Sequence, residues 1–140
     1  KPGGITLGGV PIDVTQVKVP AYFISTVEDH IAPWKSTFTG AKLLPGPVRF
    51  VLGGSGHIAG IINPPVGNKY CYWTGAKPGG RADARRKEAT QHAGSWWSDW
   101  EEWVGKHAGE LVPARKPGDG KLKVIEAAPG SYVSVRIDAG

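Results

Sequence analysis

The segment Pro47–Ile61, PVRFVLGGSGHIAGI, decides the predicted fold. Val48–Leu52 is rich in β-branched and aromatic residues and lies between turn residues, which is typical of a β-strand. Three of the next four residues are glycines, which let the backbone turn sharply where the strand ends. The turn brings His57 to the carboxyl edge of a predicted sheet, where open α/β folds bind their ligands.

An acidic loop follows an earlier predicted strand in the same way. Ala21–Ile24 has no polar interruption, as expected of a strand that is buried on both faces. The loop after it carries Glu28, Asp29 and His30. An acid and then a histidine after successive strands is the chain order of the last two members of the α/β-hydrolase triad.

A predicted helix connects these two strands. Pro33 suits the first turn of a helix, where a missing N–H costs little. An apolar stripe at helical spacing follows it, at Trp34, Phe38, Ala41 and Leu44. Strand, helix and strand predict an α/β fold with a βαβ unit and parallel strands. Because parallel sheets need helices on both faces, we expect the chain to be the C-terminal portion of an α/β-hydrolase fold, with most of the sheet upstream.

Composition divides the chain into four parts of one expected domain. Residues 1–65 form the acid- and histidine-bearing βαβ core, and residues 66–93 are a polar, variable surface excursion with a short helix near Ala82–His92. Residues 94–109 are a tryptophan-rich helix, and residues 121–135 are predicted to form two short terminal strands around Pro129. Val10–Val17 alternates apolar and polar residues, which weakly indicates a strand or a short turn.

The tryptophan-rich helix presents one aromatic face. Its members at helical spacing are Trp96, Trp100, Trp103 and His107. Core packing is favoured over ligand stacking, because each tryptophan can bury a large area. Ser98 and Glu101 match a capping box, and Ser95 is a rival cap one turn earlier.

Charge and cysteine content exclude several classes of site. The net charge is +5, and the densest basic cluster is Arg81, Arg85, Arg86 and Lys87, which Asp83 and Glu88 dilute. A solvated face is therefore favoured over a nucleic-acid patch. The single cysteine, Cys71, excludes an internal disulfide, provides no metal-ligand spacing and fits a cytosolic protein. No run of about 18 apolar residues predicts a transmembrane segment, and no metal or cofactor is predicted.

Asp29 and His57 are the predicted catalytic residues. In a triad the histidine accepts the proton of the nucleophile, and the acid fixes its tautomer. Glu28 is the alternative acid, although it points elsewhere if the loop is extended. His57 is flanked by glycines and small residues rather than by an apolar helix face, which favours catalysis over a structural role. His30 either lines the pocket or packs structurally, and the structural role is favoured.

No nucleophile is visible in the chain. An elbow of the form G-x-S-x-G or G-x-C-x-G should precede the acid. The glycine-rich turn before His57 follows Asp29 and has the wrong register, and Cys71 comes later still, in a predicted polar loop. We therefore expect the chain alone to be inactive.

Five sequence blocks together resemble the C-terminal part of poly(3-hydroxyalkanoate) synthases, most closely the single-subunit class I enzymes. They are EDHIAPW (28–34), GGSGHIAGIINPP (53–65), NKYCYW (68–73), GSWWSDWEEW (94–103) and APGSYV (128–133). The resemblance implies an α/β-hydrolase core that polymerises 3-hydroxyacyl-CoA into polyester and releases CoA at the surface of cytoplasmic granules. It matches Asp29 to the acid and His57 to the base of a Cys–Asp–His triad, whose cysteine lies upstream. It also implies a homodimer, partners among granule-associated proteins and no cofactor besides the CoA thioester substrate.

Two other functions stay open at this point. One is a different α/β-hydrolase, such as a polyester depolymerase or an esterase with a serine nucleophile. The other is a non-enzymatic module that binds a synthase, a granule protein or polymer through its tryptophan-rich helix.

Overall fold

The structure, a computed structural model, describes residues 4–137, which form two compact units, 4–108 and 109–137. The strands are β1 (Ile5–Leu7), β2 (Val10–Ile12), β3 (Ala21–Thr26), β4 (Val48–Gly53), β5 (Cys71–Thr74) and β6 (Thr90–Ala93). The α-helices are α1 (Trp34–Ala41), α2 (Ala82–Glu88) and α3 (Trp97–Gly105). Within the described residues, no helix is both long and apolar enough to cross a membrane.

The predicted βαβ unit is confirmed. Strands β3 and β4 are parallel, with Phe23 opposite Phe50 and Thr26 opposite Gly53. Each strand extends beyond its predicted end, so the acid loop and the histidine loop leave the sheet side by side. The backbone ladder continues into the loops, where the N–H of Val27 donates to the Gly53 carbonyl at 2.9 Å.

The core lies between α1 and one face of the sheet. Helix α1 begins directly after Pro33 and buries Trp34 and Phe38, as its apolar stripe predicts. The Phe38 ring meets the Phe50 ring edge-on, with centroids 5.1 Å apart. Leu52 completes this cluster from the end of β4, and Leu44 packs at its border although it lies beyond the end of the helix. The strand that carries His57 is therefore anchored from this face.

The excursion at residues 66–93 contains two strands that its polar composition concealed. Strand β5 pairs antiparallel with β4, and β6 pairs antiparallel with β5, giving a mixed sheet in the order β3-β4-β5-β6. The predicted helix Ala82–His92 ends at Glu88, because the residues after it pair with β5 instead. The aromatic and β-branched string Cys71–Thr74 was the available strand signal.

The predicted terminal strands at 121–135 are wrong. Within residues 109–137 the chain forms no strand, and its regular element is a 3₁₀ turn, Ser131–Ser134. Glu126 accepts a hydrogen bond from the Ser131 backbone N–H at 2.8 Å. In this unit Val124 and Val133 stay exposed, so the apolar alternation has no partner strand on which to form a sheet face.

The described part of the chain begins with a short hairpin. Strands β1 and β2 pair antiparallel, with Leu7 opposite Val10. Gly8 and Gly9 connect them, both with positive φ angles (54° and 81°), which is the backbone that a two-residue hairpin turn requires. The weak strand signal at Val10–Val17 therefore corresponds to β2 and a following 3₁₀ turn, Val14–Gln16.

Candidate active site

The Asp29 carboxylate is held by the turn in which it lies. Its Oδ1 atom accepts hydrogen bonds from the backbone N–H groups of Ile31 (2.9 Å) and Ala32 (2.8 Å). The N–H of Ala32, the ring of His57 and the N–H of Ile31 hold the pKa of Asp29 below its usual value. One carboxylate oxygen thus fixes the orientation of the side chain, and Oδ2 is free for another partner.

His57 begins a tight turn directly beyond β4. The N–H of Gly60 donates to the Gly56 carbonyl at 2.9 Å, which closes the turn. A Cβ atom on Gly60 would collide with the Gly54 carbonyl and with the Thr26 side chain, so only glycine fits there. The turn is also joined to the acid loop, because the N–H of Glu28 donates to the Ser55 carbonyl at 3.1 Å.

The two loops bring Asp29 and His57 together. The Nδ1 atom of His57 lies 2.8 Å from Oδ2 of Asp29. Because a carboxylate only accepts, Nδ1 carries the proton and the Nε2 lone pair is available to take another. The Asp29 side chain is 7% exposed, whereas the His57 side chain is 44% exposed. The arrangement is a buried acid that orients an accessible base, the chemistry of two triad members.

The alternative residues lie outside this pair. Glu28 and His30 are both exposed, and within residues 4–137 no hydrogen bond joins either side chain to Asp29 or His57. Cys71 is half-buried in β5, where its carbonyl accepts from the N–H of Gly54 at 2.8 Å. It begins strand β5, so the prediction that it lies in a polar loop is wrong, and it is not part of a strand–turn–helix elbow. No group of three or more potential metal ligands occurs among the described residues.

Two tryptophans bind the turn that carries His57, a role that sequence analysis missed. The indole N–H of Trp97 donates to the Ile61 carbonyl at 2.9 Å. The indole N–H of Trp96 is shared between the carbonyls of Gly60 (3.1 Å) and Ile61 (3.3 Å). The adjacent pair of tryptophans was the available signal, because two neighbouring helical positions cannot both lie on the predicted stripe.

Helix α3, Trp97–Gly105, is shorter than the predicted helix at 94–109, and it begins two residues before the first helical residue that a cap at Ser98 predicts. Ser95 Oγ accepts from the backbone N–H of Trp97 at 3.0 Å, but the residue at the N-cap position is Trp96, whose side chain makes no capping bond. Ser98 lies inside the first turn and cannot cap the helix, so the capping box with Glu101 is wrong. The predicted core packing is only partly met: Trp96 and Trp103 are half-buried and pack on Tyr22, Trp100 is 44% exposed, and no residue of α3 is fully buried.

A polar cluster attaches α3 to the two strands of the site. Asp99 accepts a 2.8 Å hydrogen bond from the Tyr22 hydroxyl on β3 and a 2.7 Å bond from Nε of Arg49 on β4. A second Arg49 nitrogen pairs with the other oxygen of Asp99. Burial raises the pKa of Asp99, but the bonds from Arg49 and Tyr22 outweigh it and hold the pKa below the usual value. Burial and the neighbouring carboxylate raise the pKa of Tyr22.

Nearly the whole chain is similar in sequence to curated polymerases. The chain is 51% identical over 134 residues to the poly(3-hydroxyalkanoate) polymerase subunit PhaC of Rhizobium meliloti (strain 1021), covering 96% of the chain and 22% of that protein. It is 46% identical over 135 residues to the poly(3-hydroxyalkanoate) polymerase of Methylorubrum extorquens, covering 96% of the chain and 22% of the relative. The chain is homologous to one segment of these polymerases.

The matched segment is the C-terminal part of the relatives. The corresponding polymerase subunit of Cupriavidus necator is 42% identical over 137 residues, again over 96% of the chain but 23% of the relative. The chain therefore spans about a fifth of the length of the curated polymerases it matches. No protein-family model matches the chain.

Proposed function

We propose that this chain supplies the acid and the base of a poly(3-hydroxyalkanoate) polymerase, an acyltransferase that polymerises 3-hydroxyacyl-CoA and releases CoA. The observation that carries the proposal is the 2.8 Å contact between His57 Nδ1 and Asp29 Oδ2 at the ends of two adjacent parallel strands. The relatives that match almost the whole chain are named poly(3-hydroxyalkanoate) polymerases, which supports polyester synthesis as the reaction, and the CoA thioester substrate is part of the proposal. The mixed sheet and the acid-then-histidine order support an α/β-hydrolase fold for the complete enzyme.

The proposed first half-reaction transfers an acyl group to a cysteine upstream of this chain. His57 Nε2 accepts the thiol proton, and the thiolate attacks the thioester carbonyl of 3-hydroxyacyl-CoA. The new bond joins the cysteine sulfur to the acyl carbon, and the bond from that carbon to the CoA sulfur breaks. The imidazolium returns the proton to the departing CoA sulfur. Asp29 stabilises the imidazolium in the interval through its contact with Nδ1.

The proposed second half-reaction extends the polyester. His57 accepts the proton of a 3-hydroxyl group, and the resulting alkoxide attacks a cysteine-bound acyl group. An ester bond forms, the bond from carbon to cysteine sulfur breaks, and the imidazolium returns its proton to the sulfur. One base thus serves both steps, which requires that its orientation be maintained while the acyl acceptor changes.

Assembly and location follow from the same proposal. We expect the complete enzyme to act as a homodimer at the surface of cytoplasmic polyester granules, in contact with granule-associated proteins.

Product analysis tests the proposed reaction against its alternatives. The intact protein, including the upstream cysteine, is incubated with 3-hydroxybutyryl-CoA, and both released CoA and the acyl product are measured. Polymerase activity gives CoA together with polyester. A hydrolase gives CoA with free 3-hydroxybutyrate, and a non-enzymatic binding module gives neither; either result would overturn the proposal.

A further inference from the structure

The turn that carries His57 has few apolar anchors of its own. Ile58 is 72% exposed, Ile62 is 62% exposed and Ile61 is half-buried, and none of the three belongs to the core cluster. Its internal bonds, such as that from the N–H of Ile62 to the Ile58 carbonyl at 2.8 Å, set its local shape. The backbone bond from Glu28 to Ser55 places the start of the histidine loop beside the acid loop, and the far end of the turn, at Gly60 and Ile61, is held by other contacts.

The indoles of Trp96 and Trp97 hold this turn in place through hydrogen bonds. Together they direct two N–H donors at the carbonyls of Gly60 and Ile61, three and four residues after His57. An indole N–H only donates, and its ring is rigid, so a single contact fixes a carbonyl in both distance and direction. The Trp97 bond, at 2.9 Å and undivided, is the better formed of the two.

Both indoles are fixed in turn to the strands of the site. Ser95 Oγ accepts from the N–H of Trp97, and Asp99 is bonded to Tyr22 on β3 and Arg49 on β4. Trp96 also lies against the Tyr22 ring, with centroids 6.1 Å apart. Helix α3 is therefore bonded both to β3, which precedes Asp29, and to β4, which precedes His57. The tryptophans at its start bind the turn that carries His57.

We propose that Trp97, assisted by Trp96, is a positioning residue. It keeps Nδ1 of the His57 imidazole within hydrogen-bond distance of the Asp29 carboxylate during acyl transfer. This inference rests on the proposed function, because it assigns Trp97 a role in that same reaction. Trp97 bonds to the backbone four residues after His57 and does not touch the reacting atoms, so its loss should change turnover rather than substrate binding.

The test replaces the indole N–H while keeping the aromatic ring. In the intact protein, Trp97→Phe should lower kcat for CoA release about tenfold and change KM by less than about twofold, since small displacements of catalytic groups cost 10- to 100-fold in rate. Replacement of Trp97 by 3-benzothienylalanine, which has sulfur in place of the N–H, keeps the bicyclic shape and should give the same loss. The matched control is Trp100→Phe on the exposed face of the same helix, which should retain wild-type turnover.

A double-mutant cycle distinguishes positioning from general support of the fold. If Trp97 acts through the Asp29–His57 pair, the loss of kcat caused by Trp97→Phe should shrink to less than about twofold in an Asp29→Asn background. In that background the hydrogen bond from His57 to the carboxylate is already lost. Equal effects in both backgrounds, or wild-type kcat for the benzothienylalanine variant, would overturn the inference while leaving the proposed function intact. Wild-type turnover of Asp29→Asn itself would overturn both.

Discussion

Asp29 and His57 are 28 positions apart in the sequence, yet a single 2.8 Å contact joins their side chains. Parallel strands lie about 4.8 Å apart, so residues just beyond the ends of β3 and β4 leave the sheet as neighbours. The backbone bonds from Val27 to Gly53 and from Glu28 to Ser55 extend the ladder past the strands. Backbone pairing therefore fixes where the two loops lie, and side-chain contacts complete the alignment.

Asp29→Asn should impair turnover without unfolding the protein. An asparagine oxygen can still accept from the N–H groups of Ile31 and Ala32, but its amide would present a donor to His57 Nδ1 and favour the wrong tautomer. We expect CoA release to fall by about 10³- to 10⁴-fold, as loss of the triad acid does in serine proteases. The measurement is steady-state CoA release with a thermal melt, and Glu28→Gln is the control with near-wild-type activity.

Gly60→Ala should destabilise the protein, whereas Gly40→Ala should stabilise it. The added methyl at Gly60 would meet the Gly54 carbonyl and the Thr26 side chain, and such overpacking costs about 1–3 kcal/mol. At Gly40, inside α1, no atom lies within 4 Å of the added carbon, so the helix gains about 0.5–1 kcal/mol. Urea unfolding of the two variants provides the comparison, and equal midpoints would show that the turn tolerates a side chain.

Low pH should weaken the contacts of Asp99 with Tyr22 and Arg49, which attach α3 to the sheet. Its pKa in the folded state lies below the unfolded value of about 3.9, so its stabilising contribution is complete above that pH. The contribution is lost as the pH falls through the folded pKa. We expect Asp99→Asn to lower the free energy of unfolding by about 1–2 kcal/mol near pH 6, an amount reduced by the partial exposure of Arg49.

Urea unfolding at pH 6 and pH 3 measures this contribution. The difference between wild type and Asp99→Asn should be smaller at pH 3, where the wild-type carboxylate begins to take up a proton. Arg49→Lys, which keeps the charge but not the two-pronged geometry, should give an intermediate loss. A difference that grows toward low pH would contradict the assigned role of Asp99.

Local patterns predicted the elements that carry the site. A strand and the helix of the βαβ unit were predicted from the β-branched run ending in Gly53 and from the apolar stripe from Trp34 to Ala41. These predictions succeeded because each pattern depends only on residues that are close together in the sequence. The same unit placed Asp29 and His57 on adjacent loops. Their 2.8 Å contact and the identity of its donor atom could not be predicted from sequence periodicity, because both depend on the geometry of the loops.

The mispredicted elements depend on partners far away in sequence. Strand β6 forms because His92 and Gln91 pair with Tyr72 and Trp73, although its own residues are polar. The alternating residues around Val133 have no such partner within their own unit and stay out of any sheet. The indole of Trp97 likewise finds its acceptor 36 residues upstream, a contact that helical spacing cannot predict.

The most direct test of the Asp29–His57 assignment is steady-state CoA release by His57→Ala in the intact protein, with His30→Gln as the exposed histidine control. Removal of the general base should lower turnover by at least about 10³-fold, while the thermal midpoint stays close to wild type because the His57 side chain is 44% exposed. His30→Gln should lose less than about threefold. Near-wild-type CoA release by His57→Ala would contradict the account.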